Sequence, residues 1–491
     1  MDAEQLIQDV LEGELDAEEL GRLVIMLAQK LDAANQRIAE LEQQLAGQST
    51  PKVDEPYSVD SEEKRQQEAD KQSGGKKKKK KKKKSSGRRR TQEKLKQAER
   101  EENVYPAGVP VEQCKLSHSR PVWRFENGRA VLVAYHVYRG PGKQYGQVAA
   151  LGRSEYGIEI VIALAYLIYI LGLSLDKACQ LLRFFMQLPI NKSQADALLY
   201  RLAQEWEDEF EVICTLLAHS AVVHADETSW SINSVWAFLS EHVRVLLFGV
   251  HKDGPTLKAI LNPADFTGVI VSDNAAVYGN FTTAQKCWAH LLRKAIKLTL
   301  LDPTNGDYRR FCDGLFAIYR SACRSKRDRR YSDDTRRRKV ADLDDEIFDL
   351  CLSFPCHDDD TPPATETEAD FQRLVSEVFR LMMHQELFVF VVHADVGATN
   401  NEAERTLRNP AQARKTGRTS KTVRGARRQS IIHSVLESLR RQVPEYSLAS
   451  VVSEVKSWWQ SGRSCFRRLA ASLGIPPPGE SVLNRVLPTA A

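Results

Sequence analysis

Apolar residues recur three and four apart at Val24, Leu27, Leu31, Ala34, Ile38, Leu41 and Leu45, which places them along one seam of a helix. The spacing predicts a coiled-coil zipper within residues 1–47, about three heptads long. A single amphipathic helix packed on its own protein is the alternative. From Gln48 to about Asn103 apolar residues almost vanish, so residues 48–103 are expected to form a disordered polybasic linker. Alternation around Arg129 to Val137 then predicts a small β module over residues 104–150. Glu155 to Leu171, Leu175 to Phe185 and Lys192 to Trp206 read as three helices broken at Gly172 and Pro189, a helical region over residues 151–210. Tight turns between short helices allow a helix-turn-helix, with Asn191, Lys192, Ser193 and Gln194 opening the helix that would enter a DNA groove. Asn191 or Ser193 can equally be a plain N-cap.

Further on, the apolar run Ala221 to Ala225 leads directly into Asp226. Val235 to Ser240 and Val243 to Val250 follow as a hairpin turning at Glu241 and His242, then a helix-compatible stretch from Pro255 to Leu261. A second apolar strand, Gly268 to Ser272, also ends in an acid, Asp273. Strand, hairpin, helix and strand is the order of ribonuclease H-like folds.

A chain of 491 residues calls for more than one folded unit. Lys and Arg number 70 against 65 Asp and Glu, and the net charge of +5 hides an acidic start followed by a very basic stretch. The run Lys76 to Lys84 with Arg88, Arg89 and Arg90 reads either as a solvated linker or as a tether on nucleic acid. Nine Cys at irregular spacing fit a reducing compartment, and Met1 to Asp9 is too polar for a cleavable signal, so a cytoplasmic, nucleoid-associated protein is expected. The apolar run Ile160 to Leu173 falls short of the roughly 20 residues of a membrane span and reads as a buried helix, so no membrane partner is expected. Cys114, His118 and His136 offer three ligands where a closed zinc site needs four, so structural zinc is not expected.

In a ribonuclease H-like core the first and fourth strands are neighbours, and their terminal carboxylates converge. Hard cations take oxygen ligands, and two of them about 4 Å apart stabilise the attacking and leaving oxygens of a phosphoryl transfer. Any one strand-terminal Asp is ordinarily a turn residue or an N-cap; the topological order of Asp226 and Asp273 is what carries the reading.

Three blocks sharpen it: HADETSW (His224 to Trp230), VSDNAAVY followed by KCWAHLLRKA (Val271 to Tyr278 and Lys286 to Ala295), and TNNEAERTLR (Thr399 to Arg408). Together they resemble the catalytic blocks of the insertion sequence 66 transposase family. The resemblance implies a DDE transposase with an α/β ribonuclease H-like catalytic core, a helical insertion, an N-terminal coiled-coil helix and a helical DNA-binding region. It implies metal-dependent DNA strand cleavage and strand transfer, with Asp226, Asp273 and Glu404 as catalytic residues and metal ligands. Two magnesium ions, replaceable by manganese, are the implied cofactors. DNA, as transposon ends and target, is the implied partner, together with a homo-oligomer and accessory transposition proteins. The family's two CxxC pairs are absent around Cys114, and Thr399 stands where many members carry Asp.

Glu402 is the rival for the third position, but residues 402 and 404 point about 200° apart on a helix. Glu227 points away from Asp226 if the strand continues. On this reading residues 211–300 form the first part of the core and 391–445 the second. Residues 301–390 are the helical insertion, with a mobile acidic loop at His357 to Thr367, and 446–491 are a C-terminal helical tail. Cys287 and His290 supply only two ligands of a metal site, and Trp288 reads as core; Tyr278 reads as core or as a DNA contact near the cut. Lys192, Arg405, Arg408, Arg414, Lys415, Arg418, Lys421 and Arg424 are the candidate DNA contacts, the last seven in a basic stretch that also holds Arg427 and Arg428. Two other readings stand beside this one: a structure-specific nuclease on the same fold, and a domesticated or inactive transposase that only binds DNA.

Overall fold

The computed structural model describes residues 87–355, 363 and 365–487. The expected zipper, the lysine run and most of the His357 to Thr367 loop lie outside the described residues. The end of the segment expected to be linker is folded. Helix α1 (Gly87–Lys96) and strand β1 (Arg100–Val104) occupy its last part. Long-range partners order this polar segment: Lys94 reaches Glu155 at 2.5 Å, Glu99 pairs with Arg129 at 2.5 Å, and β1 runs parallel to β3.

Strands β2 (Lys115–Glu126) and β3 (Arg129–Arg139) form an antiparallel hairpin, and the small sheet has the order β1-β3-β2. The hairpin turns on Asn127 and Gly128, both at positive φ, as the tightest right-twisting hairpins require. Helices α2 (Ile158–Ala165), α3 (Leu175–Met186) and α4 (Lys192–Ala218) follow. Asn191 and Gln194 close a reciprocal capping box at the start of α4. That helix continues twelve residues past Trp206, the expected end, because Phe210, Ile213 and Leu217 carry its buried face through a charged stretch. The apolar run at Ile160 is buried as α2 and a single π turn (Tyr166–Ile170), and no helix among the described residues is long and apolar enough to cross a membrane.

The larger sheet has the order β6-β5-β4-β7-β8, built from β4 (Val222–Ser229), β5 (Ser234–Leu239), β6 (Arg244–Val250), β7 (Val269–Ser272) and β8 (Ala284–Lys286). Helix α5 (Gly254–Ile260) links β6 to β7. Strands β4, β7 and β8 run parallel and the hairpin partners antiparallel. The protein is thus a mixed α/β structure in which β4, carrying Asp226, and β7, directly followed by Asp273, are hydrogen-bonded neighbours; β4 does not stop at Asp226 as expected but runs on to Ser229, because β5 pairs with it there. Helices α6 (Trp288–Leu301), α7 (Gly306–Arg327), α8 (Asp333–Leu352), α9 (Glu366–Met383) and α10 (Val389–Val392) gather around their own apolar cluster, centred on Trp288, Phe311, Leu315, Ile347, Val375 and Phe388. Helices α11 (Asn401–Lys415) and α12 (Val423–Gln442) return to the sheet. After them α13 (Leu448–Ser461), α14 (Cys465–Ser472) and α15 (Val482–Val486) close the other core, where Trp458 and Phe466 pack with Trp206 of α4.

Strand β6 lies at one edge of the sheet, and three serines of α12 seal it. The hydroxyls of Ser430, Ser434 and Ser438 accept hydrogen bonds from the backbone N–H groups of Phe248, Leu246 and Arg244 at 2.9, 2.8 and 2.9 Å. Ser434 and Ser438 donate in return to the carbonyls of Leu246 and Arg244. Four helical residues advance about 6.0 Å and two strand residues about 6.6 Å, so an i, i+4 row of short hydroxyls keeps step with alternate strand residues. Small residues bring the helix close enough. At Gly249, held at φ 75°, a side-chain carbon would stand 2.8 Å from Cβ of Ala426.

Candidate active site

Residues Val223 and Ala225 bury one face of β4, while pairing with β7 stops at His224 opposite Val271. Asp226 therefore sits just where two neighbouring parallel strands part, and Asp273 follows the last residue of β7. The carboxyl ends of strands at such a reversal of strand order form a natural crevice in α/β sheets. Asp273 turns the chain there, its Oδ1 accepting the Ala275 N–H at 3.0 Å. Glu404 comes from the first turn of α11, where its Oε1 accepts Arg293 Nη2 at 2.8 Å and lies 3.5 Å from His290 Nδ1.

The electrostatics tie these groups together. Burial, then the negative charges of Glu227, Asp273 and Glu404, push the Asp226 carboxyl up to about 7, against a smaller opposing effect of the Glu227 N–H. Asp273 and, more weakly, Glu404 thus lie close enough to act on Asp226 through space. These three acids offer oxygen donors only, the kind that hard divalent cations take, although among the described residues the group with ligand atoms within 4.8 Å of one another is Cys287, His290 and Glu404 rather than the three acids. Beside it opens a cavity of about 760 Å³, bordered by Asp273, His290, Lys294, Arg373 and Arg380. Lys286 lies buried in its wall, 3.3 Å from Ser272 Oγ, and burial pulls its ammonium below the ordinary lysine value.

Glu402, the rival for the third position, faces elsewhere, whereas Glu227 stays near Asp226 and is held by partners of its own. Glu402 pairs with Arg244 of β6; burial alone would raise its carboxyl, but the hydrogen bond and charge of Arg244 outweigh that and hold it below the usual value. Glu227 is buried, takes a hydrogen bond from the Tyr278 hydroxyl and pairs with Lys252 at 2.5 Å. Tyr278 is accordingly a core residue, as is Trp288.

Asn400 was not singled out by the sequence. It is fully buried and joins three segments: Nδ2 donates to the Ala225 carbonyl at 2.7 Å, Oδ1 meets His224 Nδ1 at 3.2 Å, and the backbone N–H points to Cys287 Sγ at 3.1 Å. An Asn at an N-cap normally bonds its own helix, yet this side chain makes no cap bond to α11 and braces β4 beside Asp226 instead. The paired Asn of TNNEAERTLR was the available signal. Cys287 and His290 gain a third companion, since Cys287, His290 and Glu404 have potential ligand atoms within 4.8 Å of one another. Cys287 is buried and receives the Asn400 N–H, so it serves the packing of the α6 start.

Of the candidate DNA contacts, Lys192, Arg405, Arg408, Lys415, Arg418 and Arg424 are exposed, and Arg414 and Lys421 half-buried. Several are partly engaged within the protein. Arg414 donates to the Ser229 carbonyl at 2.7 Å, Arg418 to that of Gly172 at 3.0 Å, and Arg424 lies 3.8 Å over the Tyr200 ring. Arg427 and Arg428 pair with Glu207 and Asp196 of α4, so that helix is anchored to α12 along one side.

No curated protein matches the chain. The sequence model of the Transposase IS66 family, by contrast, matches residues 153–428, a span that takes in α2 to α4, the whole larger sheet, Glu404 and the basic stretch. A match over more than half of the chain settles the kinship: the protein belongs to the Transposase IS66 family and is a bacterial insertion-sequence transposase, a DNA-recombining enzyme.

Proposed function

We propose that the larger sheet is a ribonuclease H-like core and that Asp226, Asp273 and Glu404 are the carboxylate triad of a DDE transposase, holding two magnesium ions. The observation that carries this is the placement of Asp226 on β4 beside Asp273 at the end of the parallel strand β7; burial and the charge of Glu227 raise the Asp226 carboxyl to about 7, and Asp273 and Glu404 are near enough to add to it. The strand order agrees with it, since Asp226 lies on β4 and Asp273 directly follows the parallel neighbour β7. Asp226, Asp273 and Glu404 would hold the ions. Bound there, the ions supply charge neutralisation at the phosphate and lower the pKa of the attacking hydroxyl or water.

The residues do the rest by placement. Asn400 fixes β4 against α11, and Arg293 orients Glu404. In the first step a water oxygen attacks the phosphorus at the element's end and the 3′ oxygen departs, taking a proton. In the second, that 3′ hydroxyl attacks a target phosphodiester, loses its proton and expels the target's own 3′ oxygen. Both steps are in-line displacements at phosphorus, so one site serves both. The exposed arginines of α11 and the following loop suit the phosphate backbone, Lys192 suits a groove contact, and the seam Val24 to Leu45 suits self-association. Asp226→Asn should abolish metal-dependent strand transfer by the purified protein while leaving binding to the element's end. Retained transfer refutes the triad, and products that are cut but never joined would make the enzyme a nuclease.

A further inference from the structure

A second cavity, about 570 Å³, lies between the segment Leu171 to Ser174, Trp230 just beyond β4, the second half of α11, the loop 416–422 and the start of α12. Its walls include the apolar side chains of Leu173, Trp230 and Ala413. Three of its lining residues have buried polar atoms without a hydrogen-bond partner: Thr419 Oγ1, Arg428 Nε and His433 Nδ1. Buried polar atoms are nearly always paired, so three around one cavity mark a place that a polar ligand completes. His433 is 6 % exposed and stacked on Phe248. Burial pulls its imidazole down to about 4, so at neutral pH the ring is uncharged.

The surroundings are cationic. Helix α12 has no acid in its first turn and carries Arg424, Arg427 and Arg428 in its first two. Cations at a helix N-terminus oppose its dipole and favour an anion nearby. Arg418 and Lys421 stand on the adjoining loop. Trp230 lies four residues beyond Asp226, roughly 13 Å along extended chain, and Ala413 lies nine beyond Glu404, roughly 13 Å along a helix. At 3.4 Å per base step, the cavity is about four steps from the phosphate being cut.

We propose that this cavity receives one unpaired nucleotide of the DNA held at the carboxylate triad, an inference that rests on the transposase reading. A hydroxyl, a neutral imidazole nitrogen and a guanidinium N–H make a mixed donor and acceptor set that suits the edge of a base, and the apolar walls suit its faces. The loop cations suit the flanking phosphates.

The test is competition binding at fixed salt between a fully paired 20-base-pair duplex and the same duplex with one central bulged thymine. The full-length protein should prefer the bulged duplex by about tenfold, because the unstacking cost is already met. Thr419→Val, which keeps shape and removes the orphaned hydroxyl, and Ala413→Phe, which fills the cavity, should erode that preference and leave paired-duplex binding unchanged. Thr419→Val keeps the test valid if Ala413→Phe fails to fold. Equal binding of both duplexes by the parent protein, or a full preference in both variants, overturns the assignment. Metal-dependent cleavage is read separately: an absent bulge preference with cleavage intact defeats the pocket alone, whereas strand transfer by Asp226→Asn defeats the triad beneath it.

Discussion

Removing the Asp226 carboxylate should stabilise this protein when no metal is present. The Asp226 carboxyl sits at about 7 in the folded chain against an ordinary 3.8, through burial first and then the charges of Glu227, Asp273 and Glu404. As pH rises from about 4, the unfolded chain loses this proton before the folded one does, so folding stability declines up to about pH 7 and stays low above it. A shift of about three units corresponds to on the order of 4 kcal/mol. Asp226→Asn keeps the shape and removes the charge, so it recovers most of that at pH 8 and almost none near pH 4. Thermal midpoints of parent and variant in a chelating buffer, taken across that range, measure the difference. Magnesium should reverse the ranking at pH 8, because ions that bind only the folded parent stabilise it by mass action. Identical midpoints for the two proteins at pH 8 in chelator would refute the crowding of negative charge at Asp226.

Ser434→Ala strips the acceptor from the buried Leu246 N–H, and the urea midpoint should fall by the equivalent of about 1–3 kcal/mol. Glu404→Gln should eliminate strand transfer, whereas Glu402→Gln should retain it at a stability cost of about 1 kcal/mol, since the Glu402 partner of Arg244 is half exposed; the opposite pattern in a transfer assay would exchange their roles. Asn400→Ala should lower activity about 10- to 100-fold and raise the magnesium concentration needed for half-maximal rate, because Asn400 positions β4 rather than touching the reacting atoms. Activity titrated against magnesium checks this, and an unchanged titration would remove Asn400 from the site.

Strands β4 and β7 were legible because each contains an apolar run that leads into an acid; the polar end of β4, Asp226 to Ser229, was not, since only pairing with β5 keeps it extended. Strand β8 was not, being only three residues long with the buried polar Gln285 and Lys286 where apolar residues are expected. Gln285 is fixed by the backbone of Leu387 and Phe390, partners about a hundred positions away that no local pattern reveals. The same distance hid Asn400, whose side-chain contact to Ala225 spans 175 positions. The length of α4 was masked by the charges between Glu205 and Glu211, although one face there stays buried. The basic stretch after Glu404 was visible in composition, but its division into exposed cations and ones spent on Glu207 and Asp196 depends on how α12 docks. Likewise Arg100 to Val104 reads as linker by content and becomes a strand only because β3 offers it an edge.

The three serines of α12 bear on how copies of the protein can assemble. An uncovered outer strand is a template on which another chain can add, and here those backbone groups are already committed to a helix of the same molecule. Growth of the sheet from one subunit into the next is therefore shut off at β6. One residue inserted within α12 would swing the hydroxyls downstream of it about 100° around the axis, so this helix should tolerate substitution far better than a change of length.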